Sequence, residues 1–275
     1  MTNPRAAIAL VAVVVASVVA IGWGTTRYDR RGSAEPPGPT GEKVTLRFFR
    51  DPSPVPAIAV HDLDGRDVST AGWRGTVVIV NFWATWCPPC RAEIPALIAL
   101  QEKYRDRLQI IGVSQDEGST EPVRRFAAEH RINYPIVMMT PALEQAFPGI
   151  EALPTSFVVD RDLRIVQKHV GMLDAVTTEL EARALAGIDV NASIEQVDRV
   201  QKAHLDNNAQ ATVIPGVDLA VLSPDQRAAA LQKLNTDACT CGCDLTLAKC
   251  RIDDPSCGIS LPLARIVVQQ IAKSK

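Results

Sequence analysis

Residues 6–24, AAIALVAVVVASVVAIGWG, form an apolar run without a single charge. At about 1.5 Å per residue such a run nearly crosses a hydrocarbon core of about 30 Å, so residues 1–24 are read as a transmembrane helix acting as a signal anchor. Trp23 stands where an interfacial aromatic belongs, and Arg5 supplies the short basic start of an export signal. Cleavage after Val18-Val19-Ala20 is the alternative, and the lack of a clear small-x-small site favours the uncleaved anchor. Arg27, Arg30 and Arg31 pull the orientation the other way, so the pattern alone leaves it mixed. Residues 25–50 follow as a linker, with Pro36, Pro37 and Pro39 between Gly32 and Gly41 marking a tether.

Beyond the linker, short apolar segments alternate with helical ones. Ile58 to His61 reads as a strand before a turn at Leu63-Asp64-Gly65-Arg66, and the run Thr76 to Trp83, TVVIVNFW, suits a central strand covered on both faces. Ile94, Leu97, Ile98, Leu100 and Tyr104 then recur at helical spacing, with a kink expected at Pro95, which has no amide to donate. Gln109 to Ser114 is the next strand, and Thr120 to His130 a helix with Glu121 and Pro122 in its first turn. Ser156 to Asp160 and Ile165 to Val170 read as a hairpin across Arg161-Asp162, and Val176 to Ala186 as a closing helix ended by Gly187. This is an α/β domain over residues 51–187, a right-handed crossover followed by a hairpin.

Residues 188–275 change character, being mainly helical and cysteine-rich. Ser193-Ile194-Glu195-Gln196 and Ser223-Pro224-Asp225-Gln226 both fit a capping box, which predicts two helices. Cys239, Cys241, Cys243, Cys250 and Cys257 crowd into the stretch after them.

Composition narrows the class without changing this picture. The chain has 275 residues, 47% hydrophobic and 22% charged, as in ordinary globular protein, and its net charge of −2 argues against nucleic-acid binding. His61, His130, His169 and His204 are scattered without ligand-like spacing and are read as structural or exposed.

The chemistry is carried by Trp86-Cys87-Pro88-Pro89-Cys90, between the best strand and a helix. A cysteine at a helix start is favoured as thiolate by the free amides and the helix dipole, and the thiolate is the nucleophile of disulfide exchange. A second thiol three residues on can resolve the mixed disulfide. Cys87 is therefore expected to be exposed and attacking, and Cys90 covered and resolving. A structural disulfide or half of a zinc site is the plainer reading, but no second CxxC or nearby His pair completes four zinc ligands.

Asn81-Phe82-Trp83-Ala84-Thr85-Trp86-Cys87-Pro88-Pro89-Cys90-Arg91, followed by Glu93 and Pro95, resembles the TlpA/ResA branch of thioredoxin-like proteins over residues 52–187. The resemblance implies a thioredoxin fold, a central mixed sheet flanked by helices, with a helix-containing insertion at Glu121 to Met139. It implies that Leu153-Pro154-Thr155 is the cis-proline segment facing the dithiol, and that with Trp86, Pro88 and Pro89 it lines the substrate groove. It also implies that Glu93 tunes the thiols and that the thioredoxin-like domain needs no cofactor. The implied role is reduction of disulfides in exported proteins such as apocytochrome c, outside the cytoplasm, recharged by a membrane electron donor. The direction of electron flow is not fixed by the Pro88-Pro89 dipeptide.

Asn81 stands where many thioredoxins carry a buried Asp, and asparagine takes no proton, so proton transfer falls to Glu93, water or the substrate. Glu93 itself is read either in that role or as an exposed first-turn carboxylate complementing the dipole. Two other functions are weighed. A peroxiredoxin-like peroxidase would resemble a pattern with Thr three residues before the cysteine, where this chain has Ala84. A metal-binding or scaffold protein would act through the five C-terminal cysteines, for which disulfides, a zinc or copper site and a redox relay with Cys87 and Cys90 remain open.

Overall fold

The structure is a computed structural model, which describes residues 43–198 and 209–274. The expected anchor and the start of the linker lie outside them, and among the described residues no helix is long and apolar enough to cross a membrane.

The run read as a central strand is β5 (Val77–Trp83), and all seven of its residues are buried. It sits between β6 (Leu108–Ser114), parallel to it, and β9 (Thr155–Val159), antiparallel to it. The sheet is completed by β7 (Ile136–Met138) beyond β6, and by β10 (Arg164–Val170) and β2 (Ser53–Pro54) beyond β9, giving the order β2-β10-β9-β5-β6-β7. A strand flanked on both edges and covered on both faces is mostly apolar, which is why β5 lacks alternation, with Asn81 its one polar member. A small hairpin pairs β3 (Ala59–His61) with β4 (Asp67–Ser69).

Helix α1 (Pro88–Lys103) follows β5 and runs on through Pro95. One face of it, Ile94 and Leu97, is buried among the apolar clusters on the sheet. The segment expected as an insertion folds as α2 (Glu121–Glu129) and the edge strand β7, and a short α3 (Pro141–Ala146) follows. Helix α4 (Ala175–Leu185) closes this part, and Gly187 beyond it adopts a φ of 73°, the left-handed cap expected of glycine.

Two expectations are corrected. The end of the tether is β1 (Val44–Phe49), whose Leu46 is fully buried, and its partner is β11 (Ala192–Val197), parallel to it. The first of the two predicted C-terminal helices, at Ser193, is therefore a strand. Pairing with β1 satisfies backbone donors and acceptors along both strands, and that tertiary gain outweighs a local capping pattern. Cross-strand contacts fix the register: Thr45 and Ser193 hydroxyls at 2.9 Å, and Arg47 Nε to Glu195 Oε2 at 3.2 Å.

The second capping box is real. Ser223 starts α5 (Pro224–Thr236), and its side chain and that of Gln226 each accept from the other's backbone. After it come α6 (Leu247–Asp253) and α7 (Ser260–Lys273), and the three helices share an apolar cluster that includes Leu231, Leu234, Leu247, Ala264 and Val268. This helical extension is stitched to the sheet's end: β12 (Gln210–Ala211) pairs antiparallel with β8 (Ala152–Leu153).

Candidate active site

Cys87 is the N-cap of α1, and its sulfur accepts the Cys90 amide at 3.3 Å. That is the local contact the sequence argument needed, since an amide aimed at sulfur favours its charged form. The two cysteines are joined as a disulfide, with Cα atoms 5.3 Å apart. The expected asymmetry of exposure is not seen in this oxidised form: Cys87 is 0% exposed and Cys90 1%. Both belong to the apolar cluster on the sheet, because tertiary packing closes over the helix start as well as its buried side.

The loop ahead of Cys87 is held by a residue that sequence reasoning missed. Asp116, just past β6, accepts the Thr85 amide at 2.9 Å and the Ser114 hydroxyl at 2.8 Å. No spacing signals this, because β5 and β6 bring the two segments together only by pairing Trp83 with Ser114.

The groove residues gather at the same end of the sheet. β9 pairs with β5 so that Thr155 stands opposite Phe82, which puts Leu153-Pro154-Thr155 beside the strand end from which Cys87 departs. The Leu153-Pro154 peptide bond is cis and all three residues are buried. Of the other expected groove residues, Pro88 is exposed, Pro89 buried, and Trp86 half-buried. Trp86 touches two apolar clusters, that of the sheet and that of the helical extension.

Glu93 overturns the picture of an exposed first-turn carboxylate, for it is 3% exposed. Helix α1 turns it inward toward β5, where Asn81 Nδ2 donates to its Oε1 at 2.7 Å and the Leu173 amide to its Oε2 at 3.0 Å. Asn81 also donates to the Ser156 hydroxyl at 2.9 Å. Burial pushes the Glu93 carboxyl up to about 7, against the opposing effects of the Leu173 amide, the Asn81 amide and the charge of His169. His169 itself lies 2.8 Å from Oε2 of the buried Glu181. A titratable carboxyl thus stands beside strand position 81, carried by the helix one turn past Cys90. A cleft of about 290 Å³ lies between α1 and α4, lined by Glu93, Ala96, Leu97, Leu173 and Thr178 among others.

The C-terminal cysteines form a second constellation. Cys239, Cys241, Cys250 and Cys257 converge with their sulfurs within 4.8 Å of one another, while the exposed Cys243 is not one of these four but interacts with Cys241 at the edge of the group. Cys257 is pulled down to about 6 by the Ser260 hydroxyl and the Ser260 and Ile259 amides at the start of α7, and burial pushes Cys250 up to about 12. Of the histidines, His61 pairs with Asp67 on the surface, His130 contacts the Phe126 carbonyl, and His204 lies outside the described residues.

A mixed sheet of this order with a Cys-x-x-Cys pair capping the helix after its central strand defines a thioredoxin-fold redox protein. Residues 53–168 match the model of the AhpC/TSA family. The thioredoxin-like protein YneN of Bacillus subtilis is 33% identical over 121 residues, 43% of this chain and 71% of that one. The thiol-disulfide oxidoreductase ResA of Bacillus thuringiensis is 30% identical over 141 residues, 49% of this chain and 81% of that one. A solved thiol:disulfide interchange protein of the thioredoxin family from Chlorobium tepidum is 34% identical with a TM-score of 0.48, covering 50% of this chain and 98% of that one. The chain belongs to the thioredoxin-like, ResA-type thiol-disulfide oxidoreductases, and its redox pair is Cys87 and Cys90.

Proposed function

We propose that this oxidoreductase is anchored in the membrane by residues 1–24 and works outside the cytoplasm, reducing disulfides of exported proteins, apocytochrome c among them, at the expense of a membrane electron donor. The buried Glu93 carboxyl beside Asn81 carries the exchange chemistry of this reading. Its proton affinity near neutrality suits a group that must both take and return a proton within one exchange cycle. The Cys87 thiolate attacks a substrate disulfide sulfur, forming a mixed disulfide and releasing one substrate thiolate, which takes up a proton. Cys90 then loses its proton to the Glu93 carboxylate and attacks Cys87 Sγ. The second substrate sulfur leaves and is protonated, so the substrate gains two electrons and two protons while Cys87 and Cys90 become the disulfide. The donor restores the dithiol. The uncharged run at residues 6–24 supports the anchor, and the resemblance to ResA supports the substrate class.

Two measurements test the proposal. Cys90→Ser should accumulate mixed disulfides between Cys87 and exported proteins, and Cys87→Ser should accumulate none; traps through Cys90 instead would reverse the roles. An alkaline phosphatase fused after residue 187 should be active. An inactive fusion of normal abundance would sink the extracytoplasmic placement.

A further inference from the structure

The four converging cysteines of the extension lie outside the exchange machinery and come from three different places in the fold. Cys239 and Cys241 lie in the loop after α5, Cys250 is on α6, and Cys257 lies in the turn before α7. Cys239 and Cys241 sulfurs are 3.3 Å apart and those of Cys241 and Cys250 3.9 Å. A tetrahedron of thiolates about 2.3 Å from a central zinc has edges of roughly 3.8 Å, which these separations bracket. All six separations lie within 4.8 Å, so the four sulfurs surround one point rather than forming two separate pairs.

A second observation comes from charge. Arg251, next to Cys250, is 4% exposed and carries a permanent positive charge. Among the described residues its guanidinium donates to neutral oxygens: the Pro215 carbonyl at 3.0 Å, the Pro255 carbonyl at 2.8 Å and the Ser260 hydroxyl at 3.4 Å. No carboxylate pairs with it there. A buried cation without a counter-charge is costly. Four thiolates around a divalent ion carry a net charge of −2, and Ser260, which Arg251 contacts, begins the helix that Cys257 precedes. The cysteines also adjoin the apolar cluster that α5, α6 and α7 share, where a structural metal would act as a staple between the helices.

We propose that Cys239, Cys241, Cys250 and Cys257 form a structural zinc site that ties the three helices of the extension together, with Arg251 as its buried counter-charge and Cys243 left outside. Four protein ligands close the shell, so the site holds no open position for substrate. Zinc displaces the sulfur-bound protons as it binds, and nothing is oxidised or reduced.

The test is metal analysis of the full chain purified in detergent under anaerobic, reducing conditions, loaded with zinc alone. One zinc per chain is expected, retained in a Cys87→Ser/Cys90→Ser chain and in Cys243→Ser, and lost in Cys239→Ser and Cys250→Ser. Cobalt replacing zinc in the unmodified chain should give the intense visible bands of a tetrahedral tetrathiolate and the sulfur-to-cobalt charge-transfer band, a readout that does not depend on any variant folding. Zinc-free protein whose four cysteines titrate as thiols or as two disulfides would overturn the site. So would equal zinc loss in Cys243→Ser and Cys250→Ser, a bound copper(I) or iron–sulfur centre instead, or cobalt spectra without sulfur ligation.

Discussion

Glu93 shows how a single residue changes meaning between sequence and fold. Its carboxyl is raised from about 4.5 to about 7, chiefly by burial. A carboxyl with a raised folded value binds its proton more tightly in the folded chain, so its contribution to stability is full below about 4.5 and lost as pH rises through 7. The shift corresponds to about 3 kcal/mol at about 1.4 kcal/mol per unit. Chemical denaturation at pH 5 and pH 8.5 should therefore find the native chain losing stability on this scale at the higher pH, while Glu93→Gln loses much less. The pH profile of disulfide reduction should likewise have an inflection near 7 that Glu93→Gln abolishes. A variant that keeps that inflection would show that the proton passes through another group.

At the scale of elements, the pairing of β1 with β11 joins two residues of unequal burial. Leu46 and Ile194 face each other in register, yet Leu46 is fully buried and Ile194 is 62% exposed. Leu46→Ala should cost about 2–5 kcal/mol, the usual range for a buried leucine, whereas Ile194→Ala should stay within about 0.5 kcal/mol. Denaturant midpoints decide this, and equal losses at the two positions would contradict the difference in their burial. The same pair of strands explains why Ser193-Ile194-Glu195-Gln196 misleads. A capping box is worth about 1 kcal/mol locally, while an unpaired strand edge leaves several backbone groups unsatisfied.

On the scale of the whole molecule, the helical extension packs where the redox motif begins. Its apolar cluster includes Ala152 and half-buried Trp86, and β12 continues the hydrogen bonding of β8, the strand that leads into Pro154. Arg227 and Glu117 add an exposed ion pair between the two parts, of little energetic weight. A chain ending at residue 198 should therefore show a red-shifted tryptophan emission and a lower melting temperature, as Trp86 gains water and the cluster is lost. Unchanged emission would mean that the extension leaves Trp86 as it is.

Much of the central domain was legible because its determinants are local. An unbroken apolar run becomes the central strand β5, helical spacing becomes α1, a glycine ends α4, and Cys87 and Cys90 lie one turn apart at a helix start whatever else surrounds them. The capping box at Ser223 was legible for the same reason. Tertiary structure alone decided what depends on segments far apart in the chain. It buried Cys87 and turned Glu93 inward against Asn81, set Asp116 under Thr85, and gave β1 a partner some 150 residues away. It also drew four of five cysteines together around one point. The physical reason is common to all of these: burial, hydrogen-bond satisfaction and metal-like convergence depend on which surfaces meet, and sequence periodicity records only which face of an element is apolar.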